Sequence, residues 1–256
     1  MKIFVCVKHV PDTAASIKVD GQAGYNSEDI VFIINPYDEY AIEEAVSIVE
    51  KEGGEVVIIT LGKPDAVTSI RTALAMGADR AILIKTDEQF PDSSMTARVI
   101  AAAIEQDGLP DIIFCGKGSV DSESFQTQYR LAENLVMPVI NDVSTLTLDT
   151  GKITAQRDIG SSGKQVIEMK LPGVIGAAKG LNEPRYPTVM NVMKAKKKKI
   201  NEIEISDLGI DPKQNRVIME KLESAPERAN AEIIQGSVDN QVTELIRILR
   251  EDKKVI

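Results

Sequence analysis

The sequence is short of the residues that most enzymatic chemistry uses. Among 256 residues there is one histidine, His9, there are two cysteines, and there is no tryptophan. A single imidazole leaves no way to assemble an imidazole metal site or a His-dependent triad within this chain. Cys6 and Cys115 both sit in apolar runs and read as isolated buried thiols, neither a disulfide framework nor a metal site. No apolar run approaches the ~18 residues of a membrane span. The N-terminus enters a strand pattern directly, with neither a secretory h-region nor an Arg-rich transit segment. These absences lead us to expect a cytoplasmic protein without membrane insertion. Net positive charge is lacking too: 39 acidic against 30 basic side chains leave −9, which argues against nucleic acid as a partner. One local run has the opposite sign, Lys194-Ala195-Lys196-Lys197-Lys198-Lys199. By itself it reads equally well as a solvated chain connection.

What is present is an ordinary globular composition, 43% hydrophobic, arranged in alternating periods. Met1 to Val10 is nearly continuous in apolar character, as a strand buried on both faces would be. Ile30 to Ile34 is a second short apolar segment, ending at Asn35-Pro36. Residues 37–52 place Tyr40, Ala41, Ala45, Val46 and Val49 at helical spacing, stopped by Gly53-Gly54. Strands follow at Val56 to Leu61, Ala81 to Ile84 and Ile112 to Cys115. Helices follow at Pro64 to Met76, 93–106 and about Phe125 to Leu135. Four such alternations specify an α/β fold with a mostly parallel, doubly wound sheet. Ligands of such sheets lie beyond the carboxyl ends of the strands, which directs attention to loops 8–13, 35–38, 61–65 and 116–127.

Beyond residue 140 the pattern changes. Val143 to Leu148, Lys152 to Arg157 and Gln165 to Met169 alternate between glycine turns and read as a small antiparallel addition. Pro172 to Ala177 is a further apolar strand. From Lys194 the chain reads as polar and irregular, an extended C-terminal arm that recovers helical periodicity only at Val238 to Glu251. Such an arm makes sense if it reaches onto a partner. Within the loop GKGSVDSESFQT (116–127), which leaves a strand and enters a helix, unpaired backbone N–H groups suit a phosphate. Without a second glycine at Walker spacing it is not a P-loop. His9, in the loop after the first strand, reads as a solvated histidine.

Three segments carry a family resemblance: SIRTALAMGADRA from Ser69; VKHVP (7–11) with Asn35-Pro36 and EYAIEEAV; and LNEPRYPTVMNVMKAKKKKI (181–200), preceded by MKLPGVIGA. In these the chain resembles the β subunit of an electron-transfer flavoprotein, over essentially its whole length. The resemblance implies an adenine-nucleotide alpha-hydrolase-like fold. Residues 1–193 would form the nucleotide-binding domain, with a recognition loop at 185–194. Residues 194–256 would be a basic linker and an arm whose helix packs on an α subunit. It further implies that the α subunit of the heterodimer holds FAD, while this subunit holds AMP at Cys6, Asn35, Pro36, Tyr37, Asp38, Leu61, Gly116, Lys117, Asp121, Gln126 and Thr127. Gln126 and Thr127 would face the phosphate, and Asp121 a sugar or its own loop, since a carboxylate repels phosphate. Thr13 would lie near the flavin.

By the same resemblance the chain is an electron carrier, not an enzyme in its own right. It would accept electrons from an acyl-CoA dehydrogenase-type donor of fatty acid β-oxidation and pass them to a quinone-reducing or other redox partner. Arg185, Tyr186, Val189, Met190, Met193 and Lys194 would form the docking loop. Val189 stands where a leucine is common, one methylene less, or about 0.8 kcal/mol of burial. The sequence departs from the family pattern at Phe125, where a small polar residue is usual, and at Gln128, where glycine is usual; Glu123 supplies the usual second acid. A second reading is an electron-bifurcating flavoprotein, with a second FAD in place of AMP and NADH as donor. VKHVPDT and Pro187 lean that way, whereas MKAKKKKI and the missing glycine after Thr127 lean toward the simple carrier. A non-redox adenine-nucleotide-binding protein is a third reading.

Overall fold

The computed structural model describes residues 1–19, 24–211, 215–224 and 230–256. The first strand, β1 (Lys2–Cys6), ends sooner than its apolar run. The chain turns at Val7-Lys8 and forms β2 (His9–Pro11), which pairs antiparallel with β3 (Phe32–Ile34) in a separate small sheet. Helix α1 (Pro36–Glu52) begins with proline at its first position, where the absent N–H costs nothing. It stops at Gly53 and Gly54; a side chain on Gly54 would collide with the Met1 carbonyl oxygen. There follow β4 (Glu55–Gly62), a 3₁₀ turn at Pro64–Ala66 leading into α2 (Val67–Met76), and β5 (Arg80–Lys85). Next come α3 (Ser93–Asp107), capped by the Asp92 side chain on Met95 N–H, then β6 (Ile112–Gly116) and α4 (Thr127–Asn134).

The antiparallel addition expected after residue 140 is present as β7 (Val139–Asp149), β8 (Lys152–Asp158) and β9 (Lys164–Lys170). Next, β10 (Gly173–Ala177) returns between β6 and β7, parallel to both. Among the described residues the main sheet has the order β11-β5-β4-β1-β6-β10-β7-β8-β9. Its outermost strand β11 (Ile200–Glu204) corrects the expectation of an irregular chain from Lys194. A short helix, α5 (Val189–Ala195), precedes it. The Lys198 ammonium donates to the Leu74 and Ala78 carbonyls, and Arg71 to those of Ala195 and Lys198. One lysine of the basic run therefore caps the end of α2, and Arg71 of α2 in turn caps the end of α5.

Alternation sorts the core. Ile3, Val5, Ile112 and Phe114 pack on the α1–α2 face. Phe4, Ile113 and Cys115 pack on the α3–α4 face, with Cys6 partly buried against them. Strand order reverses at the junction of β1 and β6, with the next strands in sequence leaving on opposite sides. In parallel sheets a crevice opens at that point. By internal contacts Met1–Leu222 form one compact unit and Glu223–Ile256 another. In the second, α6 (Val238–Arg247) is capped by Ser237 and continues as a wider turn to Asp252, with none of its residues buried.

Candidate functional site

A cleft opens at the β1–β6 junction with a volume of about 130 Å³. One buried water needs only about 10–15 Å³, so this is more than a water site, though below the roughly 300 Å³ at which pockets for whole small ligands begin. Its floor is Cys6, Leu61 and Cys115, the carboxyl ends of three strands, and Phe125, Gln126 and Thr127 close one side.

Asn35 and Asp38 hold the cleft together. Both side chains are buried at the start of α1. Asn35 donates to the Gly118 carbonyl (2.9 Å) and to Asp38 Oδ1 (3.0 Å), and accepts from Val120 N–H (3.1 Å). Asp38 accepts from Lys8 N–H (2.7 Å) and Gly116 N–H (3.0 Å). Two strand-end loops are thus stitched to one helix start. Burial pushes the Asp38 carboxyl up to about 7, although its hydrogen-bond donors and the Lys8 charge pull the other way. Gly116 has to be glycine, because a Cβ there would lie 2.4 Å from Asp38 Oδ1. Tyr37 and Pro36, half-buried beside them, shape the helix start.

Other expected residues lie elsewhere. The Lys117 ammonium turns to Asp142 (3.1 Å) and to the Tyr37 ring (5.4 Å to its centre), outside the cleft lining. Asp121 pairs with Lys8 (2.8 Å) on a broader trough that continues from the cleft. Thr13 lines that trough, together with Ile17, Phe90 and Val217. Cleft and trough share Lys8, Pro91, Ser93, Ser122, Ser124 and Gln126.

The departures noted in the sequence have physical consequences. Phe125 adopts a left-handed φ of 50° and lays its ring on Gly118, where a Cβ would come within 2.4 Å of it. Gln128 is buried and donates to the Lys117 (2.9 Å) and Phe125 (3.3 Å) carbonyls, locking the loop over the start of α4. The cleft residues Pro91, Ser93, Thr96 and Ile100 were missed, although they too follow a strand, β5, and the rule about carboxyl ends would have reached them.

His9 corrects the expectation of a solvated histidine. It lies half-buried in β2, stacked on Phe32 (4.8 Å between ring centres), with Nδ1 2.8 Å from Ser69 Oγ. Burial lowers its pKa, against the opposing charge of Asp65. Of the two cysteines expected to be isolated buried thiols, Cys115 is buried and Cys6 only partly so, and they are not isolated from each other. Among the described residues no group of three or more His, Cys, Asp or Glu could hold a metal, and no helix is long and apolar enough to cross a membrane.

The segment 185–194 has two parts. Arg185 is fixed: it donates to Glu43 (2.8 and 2.9 Å) and Glu50 (2.6 and 3.0 Å) on α1, while Asn182 donates to the Tyr40 carbonyl. Burial alone would raise Glu43, but the Arg185 hydrogen bonds and charge outweigh it and hold the carboxylate low. Beyond this clamp the apolar side chains stand in solvent: Tyr186 is 95% exposed, Val189 80%, Met190 62% and Met193 65%. They are not core. Lys194 is exposed beside them on α5.

A mostly parallel α/β sheet with its cleft at the point of strand reversal, stitched by a helix start, defines the class: an α/β protein of the doubly wound kind, with its crevice at the strand ends. The comparisons make this particular. Residues 24–208 match the electron transfer flavoprotein domain. The electron transfer flavoprotein subunit beta of Bacillus subtilis is 36% identical, with both chains fully covered. That of Syntrophomonas wolfei is 38% identical over 89% of this chain and 92% of the relative, and that of Mus musculus 35% over 93% and 94%. The chain belongs to the electron transfer flavoprotein β-subunit family.

Proposed function

We propose that this chain is the nucleotide-holding half of a heterodimeric electron carrier, with AMP in the β1–β6 cleft and FAD held mainly by an α subunit. The observation that carries this reading is the convergence of four strand-end segments on one cleft, two of them, after β1 and β6, bound to the start of α1 by Asn35 and Asp38. The residues present fit an adenylate. The apolar floor of Cys6, Leu61 and Cys115 suits a base, while Ser119, Ser122, Ser124 and the start of α4 offer donors to sugar and phosphate. Asp121, already paired with Lys8, need not face the phosphate. Lys117, committed to Asp142, would act on the loop and not on the nucleotide.

FAD, when bound, supplies the electron chemistry. This chain would contribute position and exclusion of water, with Thr13 at the flavin side of the trough. Val189, Met190 and Met193, raised on the Arg185 clamp, would seat an acyl-CoA dehydrogenase-type donor, and the electrons would go on to a quinone-reducing or other redox partner in the cytoplasm. In such interfaces a few anchoring side chains carry most of the binding energy.

A second reading has one observation in its favour: the trough continues the cleft, so a dinucleotide could run through both. That is the arrangement a bifurcating flavoprotein with a second FAD and an NADH donor would need. Nucleotide released from the denatured heterodimer decides between them. One FAD and one AMP per dimer is the expected result, two FAD would establish the second reading, and FAD without any second nucleotide would overturn both.

A further inference from the structure

Cys6 and Cys115 are far apart in sequence and adjacent in the sheet. β1 and β6 run parallel with Val5 opposite Phe114, so the next residue on each strand brings Cys6 beside Cys115. The alternation places both thiols on the α3–α4 face, and both line the cleft. Both are free. Neighbouring strands lie about 4.8 Å apart, inside the ~4.4–6.8 Å separation of Cα atoms that a disulfide accepts. Side chains that leave a parallel pair side by side must lean together to bring their Cβ atoms within about 4.5 Å. A bond between them would therefore be strained, and strained disulfides are the readily reduced, reversible ones. Cys6 is the last residue of β1 and Cys115 the next to last of β6, so the lean falls at the carboxyl end of the ladder.

We propose that Cys6 and Cys115 form a dithiol in the floor of the cleft that hydrogen peroxide oxidises reversibly to a disulfide. The half-buried Cys6 meets the oxidant first, since Cys115 lies deeper. The Cys6 sulfur attacks the peroxide and the O–O bond breaks, leaving a sulfenic acid on Cys6 and one molecule of water. The Cys115 sulfur then attacks the sulfenic sulfur, the S–S bond forms, and the S–O bond breaks to release a second water. Two electrons pass from the thiol pair to the peroxide, and both thiol protons end in water. The neighbouring Cys6 and burial both push the Cys115 thiol up. It therefore waits as a thiol until the sulfenic acid forms beside it, instead of reacting first.

The thiol chemistry stands on the strand register alone. Its link to ligand occupancy rests on the nucleotide reading given above, in which a bound base would cover both sulfurs. The test is intact-mass analysis of the full chain after graded hydrogen peroxide, with thiols counted under denaturing conditions. We expect a loss of about 2 Da with both thiols consumed together, reversal by dithiothreitol, and no such loss in Cys6→Ser or Cys115→Ser. Gains of about 16 or 32 Da without a 2 Da loss, or two thiols still free when the methionines are already oxidised, would overturn the proposal. AMP at ten times its Kd should slow the oxidation about tenfold. A disulfide that forms at the same rate with AMP present would leave the dithiol standing and count against the nucleotide reading.

Discussion

Asp38 is a buried carboxyl surrounded by N–H donors, and its position makes the cleft sensitive to pH. Burial lifts it to about 7, above the ~3.9 of an unfolded aspartate. An acid whose folded value is raised binds more protons when folded. Its contribution to stability is then complete below about pH 4 and fades as pH rises through about 7. Asp38→Asn removes the titration but keeps the shape and one acceptor. Urea unfolding at pH 5 and pH 8 should show the wild type losing about 2–3 kcal/mol relative to the variant over that interval. An equal change in both proteins would mean that Asp38 stays ionised in the fold. Much of the site at this scale was legible: Asn35 and Asp38 follow a strand and open a helix, where side chains meet strand-end loops. What could not be read was direction. Lys117 and Gln128 lie in or beside the same polar loop, yet one side chain leaves the cleft for Asp142 and the other is buried under the loop. For Lys117 the choice depends on Asp142 of β7, which follows it in sequence, and for Gln128 on the path of the loop itself, whose Lys117 and Phe125 carbonyls it meets. His9 was misread for a similar reason, because its partners Phe32 and Ser69 arrive from elsewhere in the chain.

At the scale of elements, the exposed loop and the clamp beneath it separate binding from stability. Arg185 grips two carboxylates of α1, and Glu43 is buried, so removing the Arg185 side chain takes the cation from a buried charge and leaves it the Ser47 hydroxyl. Arg185→Ala should cost about 1–3 kcal/mol in thermal or urea unfolding and speed proteolysis after residue 185. Val189→Glu should leave stability unchanged within about 0.5 kcal/mol, because its side chain touches mostly solvent. In the heterodimer it should abolish electron transfer from the donor dehydrogenase with flavin content intact. Unchanged transfer rates would place the docking surface elsewhere. The elements themselves were mostly predictable, since the two-residue and 3.6-residue periods are strong in β4, α1 and α3. The missed strand β11 shows the limit. Ile200-Asn-Glu-Ile-Glu has two apolar side chains and follows a lysine run, and only the waiting edge of β5 makes it a strand.

At the scale of the whole molecule, the tail unit poses a physical problem that a partner would solve. Helix α6 presents Val242, Leu245 and Ile246 to solvent on one side, and the ten-residue helix buries none of its residues. Helices this short are marginal in water unless an apolar face is covered, however good the Ser237 cap. The chain as a whole carries −9, so a cover recruited by charge would have to be basic, whereas the stripe on α6 calls for an apolar groove. We infer that the groove belongs to the α subunit and that the tail takes up its final order there. Leu245→Glu should then weaken co-purification of the two subunits at least about 100-fold in apparent affinity, as removal of a central apolar anchor does. The same variant should leave the urea midpoint of the Met1–Leu222 unit unchanged, because α6 lies outside that unit. If the dimer survived at full affinity, the tail would have to be held by something other than this face, and the stripe along α6 would be left without a purpose in the assembly.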